Sequence, residues 1–350
     1  MATQILRINP FDTFFFRDGK PFTMGDDTWA DSIFPPSPSV IYGALRTAWI
    51  SEQKDGFTPE NIKESEKLTI KGIFVEFNRN DIALPSPRDL VHEKNVKSNK
   101  YLLELSPNRV VSKCSLSMVA TQLQDKFVEE FNTNALLRYS AYENYLKANI
   151  KTVQVEDNYL IEESKIGIGR QFNTHTTQEG SLYRVDMRRF KDEPTSIVVE
   201  IEGLTFPIKS NIRLGGEGKI AQYESIEAGY CDITAPSNFK NNSFKLCLAT
   251  PSVFEQGWLP KWINATTFEG EYKGIKVKLL AVTLAKPVSI GGFDIQLREP
   301  KTMYRAIPSG SVYHFELLTG TMGEVKTLFH YQSISEQKAN EGFGVTYVGV

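Results

Sequence analysis

The stretch Phe34–Trp49, FPPSPSVIYGALRTAW, constrains the local fold more than any other part of the chain. Its prolines hold an extended approach. Ser37 suits a helix N-cap, and Pro38, with no amide to leave unpaired, suits the first helical position. At about 100° per residue, Ile41, Ala44, Leu45, Ala48 and Trp49 share one broad apolar face. Ser39, Gly43 and Arg46 form a narrow stripe on the other side. A mid-helix glycine costs about 1 kcal/mol against alanine, so Gly43 fits a place where another backbone, of protein or nucleic acid, comes close. A helix N-terminus with a small-residue stripe and an arginine suits a phosphate chain. A core helix with one solvated arginine and a tolerated glycine accounts for the same spacing.

With 350 residues, the chain is long enough for two domains of ordinary size. A formal net charge of −2 argues against nucleic-acid binding through overall charge and leaves room for a local basic track. No apolar run is long enough to span a bilayer, and the start, MATQILRINP, has no signal-peptide pattern. A cytoplasmic protein without membrane contact is expected. Cys114, Cys231 and Cys247 are dispersed with no CxxC pair, which indicates reduced thiols.

Gln4–Asn9 reads as a first strand, followed by the aromatic run FDTFFFRDGKPF with an Asp-Gly turn. After the helix, Leu68–Phe77 is a strand and Asp81–Pro85 pairs back with it. This gives β-α-β-β, three-quarters of a ferredoxin-like unit. The region from Pro85 to about Asn158 reads as an insertion: a lysine-rich mobile loop at His92–Lys100, then helices near Ser117–Phe131 and Arg138–Asn149. Ser164–Phe190 reads as a long β-hairpin with a polar tip at Asn173–Gly180. Strands Ser196–Glu202 and Ile208–Leu214 follow, then the Gly215-Gly216-Glu217-Gly218 loop, then a strand to about Ser225. A boundary falls near Ala235–Asn242. Beyond it the pattern restarts with strands at Phe244–Thr250, Ile275–Leu284, Ser311–Leu317 and Gly342–Val348, a loop or short helix at Gly257–Trp262, and a helix at Gly323–Tyr331. The halves share no literal repeat.

The four histidines, His92, His175, His314 and His330, have no metal-ligand spacing. Nucleophile-elbow, Walker and kinase elements are missing, and neither Gly342-Phe343-Gly344 nor the GGEG loop has the strand–turn–helix setting of a dinucleotide or phosphate loop. No cofactor or metal is expected. The basic residues gather near the glycines. Lys165, Arg170, Arg184, Arg188 and Arg189 lie on the hairpin. Lys209, Arg213 and Lys219 bracket the loop, and Arg17, Lys20 and Arg46 lie near the N-terminus. Phe15, Phe16, Phe172, Tyr183 and Tyr223 are interleaved with them. Basic groups hold phosphates and aromatics stack unpaired bases, as in single-stranded RNA binding. Solvated charge and core aromatics are the plainer reading.

FDTFFFRDGKPF followed by FPPSPSVIYGALRTAW resembles the N-terminal signature of the CRISPR RAMP superfamily, specifically of subunit three of the Cmr (type III-B) effector complex. IGIGRQ with GSLYRVDMRR, then IRLGGEGK, TPSVFEQGWLP, LAKPVSIGGFD, MYRAIPSGSVYHFEL and GFGVTYVG extend the likeness over nearly the whole chain. The segment between about Leu90 and Asn158 carries no matching motif.

The resemblance implies an α+β protein of two ferredoxin-like (RRM-like) domains in tandem. These are residues 1–235, with an insertion at about 86–158 and a β-hairpin thumb at about 164–190, and residues 236–350. It implies a non-catalytic subunit that holds the 5′ tag of the CRISPR RNA, docks the large palm-domain subunit and the first backbone subunit, and meets target RNA indirectly. Carried onto this sequence, RNA contacts fall on Arg17, Lys20, Ser39, Gly43, Arg46, Lys165, Arg170, Gln171, Phe172, His175, Arg184, Arg188, Arg213, Gly215, Gly216, Gly218, Lys219, Arg298 and Arg305. Arg188 and Arg189 could equally face the large subunit. Two other readings stand beside this one. The first is a guide-processing RAMP endoribonuclease using His175 as general acid or base. The second is a structural adaptor whose basic groups serve protein interfaces.

Overall fold

The computed structural model describes residues 3–17, 29–30, 32–109, 115–121, 126–171, 173–174, 176–191, 194–227, 229–294 and 299–350. The fold is mixed and strand-rich with few helices, built on two antiparallel sheets. The first sheet has eight strands, and its four central ones lie in the order Thr69–Phe77, Thr195–Glu202, Gln4–Pro10, Ile220–Ile226. The second has six, with the central order Ile275–Thr283, Val312–Thr319, Ser243–Leu248, Val345–Gly349. Ranked along the chain, both sets read second, third, first, fourth. Helix α1 (Pro38–Glu52) connects first to second strand in the first set. Helix α4 (Met322–Phe329), closed by a Thr321/Glu324 capping box, connects third to fourth in the second. Asp81–Pro85 pairs with Thr69–Phe77 as expected, but on its outer edge; Thr195–Glu202 lies between Thr69–Phe77 and the first strand.

Helix α1 forms where the apolar spacing places it. Ile41, Tyr42, Leu45 and Ala48 are buried on the first sheet with Leu6, Ile8, Val199 and Tyr223. Pro38 opens the helix, but Ser37 makes no side-chain capping bond, and its buried Oγ has no hydrogen-bond partner among the described residues.

Two insertion readings are corrected. Residues Met118–Thr121 and Val128–Glu130 are strands, not a helix near Ser117–Phe131, and they pair with Glu104–Pro107 and Leu90–Glu93. Partner strands supply the backbone hydrogen bonds there, which local periodicity does not reveal. His92–Lys100 is no mobile loop. Leu90–Glu93 and Val96–Leu102 pair across a turn at Asn95, and His92 is buried. Val96–Leu102 is exposed on most of its length, so it lacks the apolar alternation that marks a strand. The expected second helix exists as α3 (Tyr139–Leu146).

Helix α3 packs between the sheets. Tyr142 and Tyr145 join Ile5, Phe74 and Val198 of the first sheet and Cys247, Val312 and Tyr347 of the second in one cluster. Inside it, Lys245 Nζ lies 3.1 Å from Asp89 Oδ2 and 4.0 Å from the Tyr145 ring centroid. The Tyr145 hydroxyl donates to Asp89 Oδ1 at 2.5 Å. Cys231 and Cys247 are buried free thiols, and burial pushes the Cys247 thiol up to about 12. Cys114 lies outside the described residues. Among the described residues, no helix is long and apolar enough to cross a membrane, and no three His, Cys, Asp or Glu side chains converge as metal ligands.

Candidate nucleic-acid interface

Three sequence-predicted segments meet at Phe15. Its backbone carbonyl accepts a hydrogen bond from the Gly216 amide at 2.8 Å. Its ring packs in a small cluster with Tyr183, Val185 and Met187 of the hairpin. Next to it, Phe14 and Arg188 exchange backbone hydrogen bonds at 2.7 and 2.9 Å, which ties the aromatic run to the hairpin as an added strand segment. The hairpin itself, Leu160–Arg170 against Thr177–Phe190, runs antiparallel with one irregularity between Ile168 and Arg170. The glycine loop joins Lys209–Arg213 to Ile220–Ile226 at the end of the first sheet. Gly215 has φ +81, and a Cβ there would stand 2.5 Å from the Phe15 carbonyl oxygen. That glycine is required by the packing of the chain on itself. Gly218, at φ +65, has open space where a Cβ would be.

Cationic side chains ring this junction, most of them in ion pairs. Lys219 Nζ lies 2.8 Å from Asp12, and that pairing holds the Asp12 carboxyl below its usual range. Arg184 pairs with Asp186 at 2.8 Å and Arg188 with Glu162 at 3.2 Å, while Arg189 pairs with Glu163. Lys165 and Arg170 are exposed on the hairpin, and Arg17 is exposed where its backbone bridges to Ser32. Gln171 stands at the hairpin end, its amide bonded to the Thr176 carbonyl.

The helix stripe is a separate surface. Ser39 donates to Glu341, which also pairs with Lys338 at 2.8 Å. Arg46 Nε and Nη2 bond Ser65 Oγ at 2.9 Å and the Ile62 carbonyl at 3.1 Å on helix α2 (Pro59–Ser65). Gly43 is exposed, and a Cβ placed on it would meet nothing within 4 Å, so no contact among the described residues accounts for it. Arg213 is exposed at the sheet end beside the glycine loop, whereas Arg305 sits in the other half, on a short strand opposite Ser289. Lys20, Phe172, His175 and Arg298 lie outside the described residues.

The stacking role expected of several aromatics does not survive. Phe15, Phe16 and Tyr223 are 5 %, 1 % and 0 % exposed, because the hairpin and helix α1 cover them. Among the described rings of the N-terminal run, Phe11 stays open, at 63 %. Strand alternation could have separated it: it follows Arg7 and Asn9 at two-residue steps, away from Leu6 and Ile8.

A sequence profile of the CRISPR-associated protein family Cas_Cmr3 matches residues 6–350. Among solved structures, the fold resembles a chain of a type III-B Cmr-beta complex bound to cognate target RNA. That match has a TM-score of 0.51 and 20 % identity, and covers 89 % of this chain and 86 % of the other. It also resembles a chain of the same complex bound to cognate target RNA and AMPPnP, with a TM-score of 0.50, 19 % identity and the same coverage of 89 % and 86 %. No curated relative matches the sequence. Because the family profile spans all but the first five residues, the chain belongs to the Cas_Cmr3 family of CRISPR-associated proteins.

Proposed function

We propose that this chain is a non-catalytic, RNA-binding subunit of a type III-B Cmr effector complex, acting in the cytoplasm in defence against foreign nucleic acid. It holds the 5′ tag of the CRISPR RNA and docks the large palm-domain subunit and the first backbone subunit. Target RNA is met indirectly. The observation that carries this reading is the junction at Phe15, where the aromatic segment, the glycine loop and the basic hairpin become one surface. The shared second–third–first–fourth strand order supports two ferredoxin-like domains, residues 1–235 with the hairpin as thumb and residues 236–350.

The chemistry needs no reaction. Surface ion pairs contribute about 0–1 kcal/mol each, and in Lys219–Asp12 the carboxylate is exposed, so a phosphate can displace it at small cost. A charge-assisted hydrogen bond to the phosphate then offsets it. Gly218 leaves room for a sugar–phosphate backbone at the loop. The described histidines support a non-catalytic role. His92, His314 and His330 are packed into the fold, with His330 Nε2 donating to the Ile233 carbonyl at 2.6 Å.

The test is incubation of the purified chain, alone and assembled, with labelled repeat RNA and with guide RNA of intact or scrambled tag. Tag-dependent retention without cleavage is expected. Site-specific cleavage abolished by His175→Ala would establish the endoribonuclease instead, and assembly indifferent to RNA would establish the adaptor. Deleting the hairpin tip 172–177 should leave the fold intact and alter target protection near the tag–spacer junction.

A further inference from the structure

The first sheet has a second face that the chain covers only in part. Ile5, Phe74 and Val198 on that face pack against the second half of the molecule. Among the described residues, the cover ends toward the Lys209–Arg213 edge. There the cross-strand register places Arg213 opposite Ile220, and Asn211 opposite Gln222, which in turn faces Asn9 on the first strand. The Phe11 amide bonds the Ile220 carbonyl at 3.4 Å, and both side chains are exposed.

The charge on this face is mixed. Glu224, opposite Lys209 in the register, is held by Arg7 at 3.0 Å, and Arg7 is held in turn by the buried Glu76 at 2.6 Å. Among the described residues, Lys209 and Arg213 form no ion pair, and the side chains of Asn211 and Gln222 form no hydrogen bond. The surface therefore offers two exposed cations outside ion pairs, of which Arg213 has no carboxylate opposite it, two amides that both donate and accept, and one open aromatic ring. An acidic protein would meet only two apolar side chains here, Phe11 and Ile220. A stable protein interface wants an apolar core within roughly 800 Å² per partner. Unpaired nucleotides fit better: a ring to stack on, amides for base edges and cations for phosphates.

We propose that single-stranded RNA leaving the glycine loop runs across this open sheet face, with Phe11 as a stacking platform, Lys209 and Arg213 on phosphates, and Asn211 and Gln222 at base edges. This rests on the RNA-binding reading above and extends it from the loop to a second surface, since Arg213 leads directly into Gly215.

The test is fluorescence anisotropy of a labelled oligouridine against the full chain over a salt series. Lys209→Ala/Arg213→Ala should weaken binding roughly tenfold and lower the logarithmic salt slope by about 1.4, two phosphate contacts on a single strand. Phe11→Ala should weaken binding about fivefold or more with the slope unchanged. Unaltered melting would show that the variants are folded. If both variants bind as the parent does while Lys165→Ala/Arg170→Ala fails to bind, the face is not used and the RNA-binding reading stands. If the parent chain itself ignores the oligouridine at low salt, both fall. If the face variants keep RNA binding but no longer co-assemble with the other subunits, the face is a protein interface and the proposal is overturned.

Discussion

The Phe15 carbonyl oxygen accepts the Gly216 amide hydrogen bond and lies 2.5 Å from the place a side chain on Gly215 would occupy. Gly215→Ala must therefore bear a left-handed backbone and also push against a fixed carbonyl. We expect a loss of about 3 kcal/mol, combining about 1–2 for the backbone conformation with the lost hydrogen bond. Gly218→Ala has the same backbone sign but open space, and should lose about 1 kcal/mol. Urea unfolding of the two variants measures the difference. Equal losses would mean that the Phe15 contact does not hold the loop.

Gly43 makes the opposite case. It lies inside helix α1 with nothing within 4 Å of a Cβ, so Gly43→Ala should stabilise the free chain by about 0.5–1 kcal/mol. In the assembled complex the added methyl should instead reduce guide RNA retention, if a backbone comes close there. A stabilised variant with full retention would leave the glycine without a role.

Arg46 has two commitments. Its bonds to Ser65 and the Ile62 carbonyl hold α2 against α1, so Arg46→Ala should lose about 1–2 kcal/mol of stability. Nη1 makes no hydrogen bond among the described residues, and through it Arg46 can also hold a phosphate. Guide binding measured well below the melting temperature should then show a salt slope smaller by about one contact. A lowered melting temperature with an unchanged slope would make Arg46 purely structural.

The elements that local pattern announces were legible. Ile275–Thr283 alternates buried and part-exposed residues, and α4 carries its capping box in sequence. The third core strand of the first sheet was not legible, because Asp81–Pro85 follows Thr69–Phe77 directly and reads as the next strand, whereas Thr195–Glu202 from far along the chain takes the place beside the first strand. Exposed strands such as Val96–Leu102 lack alternation, and Met118–Thr121 offers too short a run to distinguish strand from helix. At the interface, the cations and glycines were legible as a set. Burial was not: Phe15 and Tyr223 read as aromatics among basic residues, and only the packed hairpin and α1 turn them inward. The Asp89–Lys245 pair had one signal, a lysine between Phe244 and Leu246 in a strand buried on both faces.

That pair sets a stability prediction. Lys245→Met removes the cation and leaves Asp89 buried with the Tyr145 hydroxyl as its remaining side-chain donor among the described residues. The expected loss is about 3–5 kcal/mol. Lys245→Met/Asp89→Asn should recover part of it, because no unpaired charge remains. A single variant that melts with the parent would show that the pair carries little weight between α3 and the second sheet.

His314 lies beside the same pair, with Nε2 buried, unbonded and 4.0 Å from Asp89 Oδ2. Burial lowers its pKa from 6.5 to about 4, with the Asp89 charge opposing and the Lys245 charge assisting that shift. In the unfolded chain the imidazole takes up a proton near pH 6.5, while in the folded chain it does not until about pH 4. Between those values the unfolded state binds more protons, so stability rises with pH and falls as the solution is acidified. From pH 6.5 down to about 5, before most carboxylates titrate, this one group should remove about 1.5 kcal/mol. His314→Leu should flatten that part of the profile. Denaturant unfolding at closely spaced pH values measures it, and an identical slope in parent and variant would mean that His314 takes up its proton in the fold as it does in the unfolded chain.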